Sequence, residues 1–221
     1  MAAGTLSHII AIIIFYLGAS PSSFAFHIRA SQGLYVNPIR NLPALASQGV
    51  SDASRLASQY RVGLGYDVHR LVGPNNGGKA FKLGGIDVEG SGVFVVGHSD
   101  GDAVLHAIAD AVLGAVGRGD IGEHFSDLDA ANGNLDSGVI VRFALSEARN
   151  LGYRPCNVDV NIVLQRPRLG SELKRRITAR VGELLGPGVC VNVKAKTNEG
   201  LDALGRGEAV ACQSVVLLER V

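Results

Sequence analysis

Three hydrophobic rhythms run through this chain. NVDVNIVLQ (157–165) sets Val158, Val160, Ile162 and Leu164 against Asn157, Asp159 and Asn161. A period of two predicts a strand with one buried face, and Pro167 stops it. SELKRRITARVGELLG (171–186) follows helical spacing and closes on Gly186 and Pro187, which predicts an amphipathic helix. RVGLGYDVHRLV (61–72) is rich in β-formers with glycine punctuation and reads as an opening strand; PNNGGK is a turn. FKLGGIDVEG and GVFVVG predict short strands and an antiparallel start. A helix follows from Ser99 or Gly101 to Val116, with Ser99 and Asp100 as N-cap candidates. GRGDIGEHFSDLDAANG reads as a loop, and Ser137 caps a helix ending at Leu151 and Gly152. VNVKAKT and AVACQSVVLLE are the last strands.

Strands alternate with helices, yet the opening hairpin argues against an all-parallel sheet. The pattern predicts an α+β single domain, a mixed β-sheet covered by helices on one face. Val215 to Leu218 is apolar on both faces, so the uncovered face is expected to bury itself against copies of the same chain.

Composition separates the first part of the chain from the rest. Asp52 is the first acidic residue. Ile9 to Leu17 is wholly apolar but too short to span a bilayer as a helix. Small residues follow, with Ser23 and Ala25 before Phe26, a signal-peptide pattern that lacks a leading Lys or Arg. The stretch 26–60 is rich in Ser and Ala and carries Arg29, Arg40 and Arg55 with one acid, as transit peptides do. A signal peptide ahead of a transit-like segment resembles the bipartite leaders of proteins sent into complex plastids, and Phe24 or Phe26 at the presumed cut fits. Simple secretion and a membrane anchor are the alternatives. The expected division is a leader over 1–60 and one domain over 61–221. Charges in that domain nearly cancel, and no basic–aromatic interleaving marks a nucleic-acid groove. The three cysteines form no CxxC pair, so a disulfide scaffold is not expected.

HSDGDAVLHAIAD (98–110) carries the candidate chemistry. Asp102, His106 and Asp110 recur every fourth residue among Val104, Leu105, Ile108 and Ala109, a polar stripe on one helical face. A solvated face is the plain alternative, but it would favour Lys, Glu and Arg. Short carboxylates and imidazoles suit metal or phosphate chemistry. GYDVHR adds Asp67 and His69, two apart on a strand and so on one face. With His106 they can hold zinc and leave a position open. Lys194 to Glu199 (KAKTNE) offers a Lys, a hydroxyl and a carboxylate at a strand end. It suits a phosphate and a magnesium-type ion, or is simply a polar strand end.

GYDVHR, HSDGDAVLHAIADAVLGA, Asp120-Ile121-Gly122, NVDVNIVLQRP, VNVKAKTNE and GRGE together resemble the 2-C-methyl-D-erythritol 2,4-cyclodiphosphate synthases of the non-mevalonate isoprenoid pathway, collinearly over 61–221. The resemblance implies zinc on Asp67, His69 and His106, and Mg2+ or Mn2+ on Glu199. It assigns transition-state stabilisation to His98 and Thr197. Substrate contacts fall on Asp67, Val68, His69, His98 and Ser99, and on the loop residues Asp120, Ile121, Gly122, Phe125, Ser126, Asp127, Leu128 and Asp129. A cytidine-diphosphate pocket is implied at Leu164, Arg168, Leu169, Gly170, Ala195, Lys196 and Thr197, with Asn198, Glu199 and Arg206 beside it. Ser126, Lys196 and Ala203 depart from the pattern of many members.

The resemblance further implies a homotrimer with active sites between subunits, a diphosphocytidyl small-molecule substrate, and no nucleic-acid or membrane partner for the mature domain. The leader places that domain in the plastid stroma. The implied reaction closes a cyclic diphosphate with loss of CMP and needs no protein nucleophile. A metal phosphohydrolase and a non-catalytic zinc-binding trimer are the rival readings.

Overall fold

The structure, a computed structural model, describes residues 59–97, 99–126 and 133–221. Of the leader expected over 1–60, residues 1–58 lie outside the described residues, whereas Tyr60 opens β1 opposite Glu219, so the domain starts ahead of the expected boundary. In chain order the elements are β1 (Tyr60–Val72), β2 (Lys79–Ala80), β3 (Lys82–Leu83), β4 (Ile86–Asp87), β5 (Phe94–Val96), α1 (Ala103–Val116), α2 (Ile121–His124) and α3 (Ser137–Asn150). Then come β6 (Tyr153–Val163), α4 (Ser171–Leu185), β7 (Cys190–Lys196), α5 (Asp202–Gly205) and β8 (Ala209–Arg220). Six strands form one sheet in the order β2-β5-β1-β8-β6-β7, and β3 pairs with β4 separately. The β6–β7 pair is parallel and the other neighbours run antiparallel. The sheet is mixed, as the α+β reading expects.

The period-two pattern divides the sheet into two unlike faces. Val158, Val160, Ile162, Cys212, Val216 and Leu218 point to the helices and are fully buried. On the other side of β1, Val62 is 67%, Leu64 70% and Tyr66 53% exposed. Burial raises the Cys212 thiol far above its ordinary range, which makes it an inert core residue.

Local chemistry corrects several boundaries. The N-cap of α1 is Asp102, not Ser99 or Asp100, because its carboxylate accepts from Val104 and Leu105 N–H at 3.1 Å each. The N-cap of α3 is Asp136, whose side chain accepts from Gly138 N–H at 2.9 Å. Ser137 lies inside the first turn, its hydroxyl already committed elsewhere. The expected loop after α1 holds a short helix, α2, capped by Asp120 accepting from Glu123 N–H at 3.0 Å. β6 starts at Tyr153 because a register shift between Pro155 and Asn157 carries pairing with β8 past the proline.

α1 packs directly on β1. A Cβ at Gly63 would stand 1.8 Å from the Ala111 carbonyl oxygen, and one at Gly65 1.9 Å from that of Ala107. Only hydrogen at these positions lets helix and strand meet so closely. Gly65→Ala should therefore cost about 3 kcal/mol, the upper end of the overpacking range, since no rotamer change relieves a clash with backbone. A urea midpoint within error of the parent would contradict this contact.

Candidate metal centre and active-site cavity

Beyond Gly65 the next inward residues of β1 are Asp67 and His69, and α1 brings His106 over them. Asp67 Oδ2 lies 2.9 Å from His69 Nε2 and 3.0 Å from His106 Nδ1; the two nitrogens are 3.1 Å apart. Donors held about 2.0–2.1 Å from one tetrahedral zinc stand about 3.3 Å apart. The three atoms thus need to open by only a few tenths of an ångström to hold an ion. Among the described residues, this is the group of three or more His, Cys, Asp or Glu side chains that can hold a metal. Three protein ligands leave a coordination position for substrate.

The electrostatics follow from this convergence. Burial alone would raise the Asp67 carboxyl, but hydrogen bonds from His106 and His69, with their charge, hold it far below the ordinary range. Burial would lower the pKa of His106, yet Asp67 and the more distant Asp102 and Asp100 raise it above its usual value. The site is built to hold positive charge at the convergence point, which a cation meets.

The triad lines a cavity of about 360 Å³ together with Val68, Ser99, Ile121, Gly122 and Phe125. Gly97, Leu135 and Ile140 complete its wall and were not among the sequence-predicted residues. His98, Asp127, Leu128 and Asp129 lie outside the described residues. Ser126 is exposed, and Asp120 acts locally as the α2 cap.

A second hollow of about 270 Å³ is lined by Leu164, Arg168, Leu169, Ala195, Lys196 and Thr197. It shares no lining residue with the first. Gly170 is the N-cap residue of α4. Thr197 Oγ1 donates to Glu199 Oε1 at 3.0 Å. Glu199 has φ 51°, a left-handed conformation costing a non-glycine residue roughly 1 kcal/mol. Asn198 and Arg206 line neither hollow: Asn198 bonds to Asp202 at 3.0 Å, and Arg206 to Glu208 at 2.9 and 3.0 Å.

The polar stripe of α1 resolves into three tasks. Asp102, fully buried, accepts from Gly84 N–H at 2.8 Å and Gly85 N–H at 2.5 Å and so pins the β3–β4 turn. Burial raises its carboxyl against those donors. His106 faces Asp67. Asp110 Oδ1 accepts from Ile121 N–H at 2.8 Å and ties α2 to α1. Burial also raises Asp110 against that bond. The stripe is not a solvated face.

A mixed sheet, helices on one side and an open Asp-His-His cluster define an α+β domain with a candidate metal site. The chain belongs to the YgbB family, whose model matches residues 60–219. It is 45% identical over 162 residues to 2-C-methyl-D-erythritol 2,4-cyclodiphosphate synthase of Dechloromonas aromatica, covering 73% of this chain and 98% of that one. The Chromobacterium violaceum protein of the same name is 46% identical, covering 72% and 98%. Among solved structures, the chain is similar to a Plasmodium falciparum IspF–CDP complex at 32% identity and TM-score 0.62, covering 73% of this chain and 96% of that one.

Asp110→Ala should release α2 while leaving the triad in place. Losing a bond to a charged acceptor is worth about 2 kcal/mol, or about 30-fold faster exchange of the Ile121 amide hydrogen. Unchanged exchange in native-state hydrogen-exchange measurements would refute the tether.

Proposed function

We propose that this domain converts 4-diphosphocytidyl-2-C-methyl-D-erythritol 2-phosphate to 2-C-methyl-D-erythritol 2,4-cyclodiphosphate and CMP. It is a phosphorus–oxygen lyase of isoprenoid biosynthesis. The observation that carries this reading is the open Asp67–His69–His106 centre inside a cavity, on a chain of this family. An oxygen of the substrate's own 2-phosphate bonds to the β-phosphorus, and the bond from that phosphorus to the bridging oxygen breaks as CMP departs. No protein nucleophile is consumed, so catalysis rests on positioning and on neutralising charge.

Each residue then has a task. Asp67, His69 and His106 would hold zinc, and Glu199 Mg2+ or Mn2+; bound there, the cations neutralise the phosphates being brought together. Their donor chemistry supports this: two imidazoles with a carboxylate suit zinc, and a lone exposed carboxylate suits a hard cation. The strained backbone at Glu199 supports a functional carboxylate there. His98 and Thr197 stabilise the transition state. Val68, Ser99, Ile121, Gly122 and Phe125 wall the methylerythritol side, and Asp120, Ser126, Asp127, Leu128 and Asp129 are its further proposed substrate contacts. Leu164, Arg168, Leu169, Gly170, Ala195 and Lys196 take the cytidine diphosphate, with Asn198 and Arg206 flanking.

A homotrimer with sites between subunits is supported by two features. The exposed Val62, Leu64, Tyr66 and Val68 lie on one face of β1, and covering the remaining apolar surface of each aliphatic one is worth about 1–2 kcal/mol. The second feature is the row across the sheet that pairs Asp67 with Cys212, Cys212 with Ile162, and Ile162 with Ala195. Three strand spacings separate its ends by about 14 Å. Cys212 and Ile162 between them are fully buried, so a ligand cannot lie straight across that row within one chain. The nucleotide hollow of one subunit beside the metal centre of its neighbour removes the obstacle.

Residues 1–58, ahead of Gln59 and of Tyr60 in β1, are the proposed bipartite leader that delivers the domain to a plastid stroma. A fluorescent protein carrying residues 1–58 should enter the plastid; retention along the secretory route would reject that destination. His106→Ala should lose bound zinc and more than about 100-fold in turnover, beyond what outer partners of a metal carry, while assembly persists. Mixing His106→Ala with Thr197→Ala and allowing subunit exchange should restore part of the activity. Release of inorganic phosphate in place of cyclic diphosphate would favour a phosphohydrolase, and confirmed exchange without recovery would place each site within one chain.

A further inference from the structure

His106 is held from behind as well as in front. Its Nδ1 faces Asp67 and His69, and its Nε2 lies 2.8 Å from the Ser137 hydroxyl and 3.0 Å from that of Ser99. Ser137 is fully buried in the first turn of α3. Its hydroxyl donates to Asp100 Oδ1, while its backbone N–H donates to Asp100 Oδ2 at 3.2 Å. A carboxylate only accepts, so the single hydroxyl proton of Ser137 is committed to Asp100. The oxygen that faces His106 therefore presents a lone pair.

We infer that Ser137, oriented by Asp100, is a positioning residue that keeps the His106 proton on Nε2, so that the Nδ1 proton shared with Asp67 is the one a bound ion displaces. The polarity of the relay decides this. Were Ser137 to donate to Nε2, the ring would carry its proton on Nδ1, the atom that must bind an ion. Asp100 forecloses that arrangement by taking the hydroxyl proton first. Ser99 does not impose the same order: besides facing His106 its hydroxyl accepts a 3.3 Å bond from Gly101 N–H, and among the described residues it donates to no carboxylate. Metal-bound histidines commonly donate their second N–H to such a partner, which sets tautomer and ring orientation. Here a hydroxyl passes the carboxylate's preference to the imidazole across two helices, α3 and α1.

This inference rests on the metal centre proposed above and is tested apart from catalysis. Metal-free protein is titrated with zinc against a chelator, and zinc-loaded protein labelled with 15N-histidine is examined by NMR. Wild type should show His106 bound through Nδ1 with a proton on Nε2. Ser137→Ala should bind zinc about 10–100-fold more weakly, the usual loss of an outer partner, and its Nε2 proton should exchange faster with water. Zinc binding by Ser137→Ala within twofold of wild type, with an unchanged His106 signature, overturns the inference and leaves the metal centre standing. Coordination through Nε2 in wild type overturns it without needing any variant to fold. Failure of wild type to bind zinc at all removes the centre, and the inference with it.

Discussion

The close contact between α1 and β1 governs the rest of this structure. Two steps along a strand cover about 6.7 Å and four along a helix about 6 Å. Gly63 and Gly65 can therefore meet Ala111 and Ala107 in succession, the helix descending as the strand rises. Because neither glycine has a side chain, the helix backbone sits against the sheet with no spacer. The next inward pair, Asp67 and His69, then falls where His106 leaves the helix. A metal site needs its donors placed to a few tenths of an ångström, and backbone contact achieves this more firmly than stacked flexible side chains would.

The four-residue spacing on α1 extends the same precision outward. Asp102 fastens the β3–β4 turn, His106 meets the strand, and Asp110 holds α2. The buried Asp102 and the half-buried Asp110 cost solvation, offset by the backbone N–H groups that donate to them. Short side chains suit this role because few rotamers connect the helix axis to each anchor. A Glu or Lys stripe would have left the turn, the strand and α2 free to drift relative to one another.

Periodicity made the long elements legible. The alternation in 157–165 yielded β6, the apolar spacing of 171–186 yielded α4, and Asp67, His69 and His106 converge as their spacings imply. What spacing could not reveal was competition among polar side chains for the same backbone groups. Ser99, Asp100, Asp102, Asp136 and Ser137 are all N-cap formers by type, and only tertiary contacts separate their tasks. Asp102 and Asp136 cap; Asp100 and Ser137 turn toward His106. Four-residue helices such as α2 and α5 have too few turns to show a period at all. The residues proposed for the nucleotide rest on resemblance, because the KAKTNE stretch by itself reads equally well as a polar strand end.

β1 carries two obligations in alternate residues. Gly63, Gly65, Asp67 and His69 face the helices and build the centre, while Val62, Leu64, Tyr66 and Val68 face away and remain exposed in the single chain. A shift of one residue in its pairing with β8 would turn the apolar set into the space reserved for hydrogen and put the ligands outside. The register is therefore specified twice, by clash on one face and by the metal-binding set it must align. If the outer face is the assembly surface proposed above, the strand that shapes the metal centre also sets how a neighbour approaches it. Assembly and catalysis then share one strand, and the coupling between them follows from the two-residue period of a β-strand rather than from any moving part.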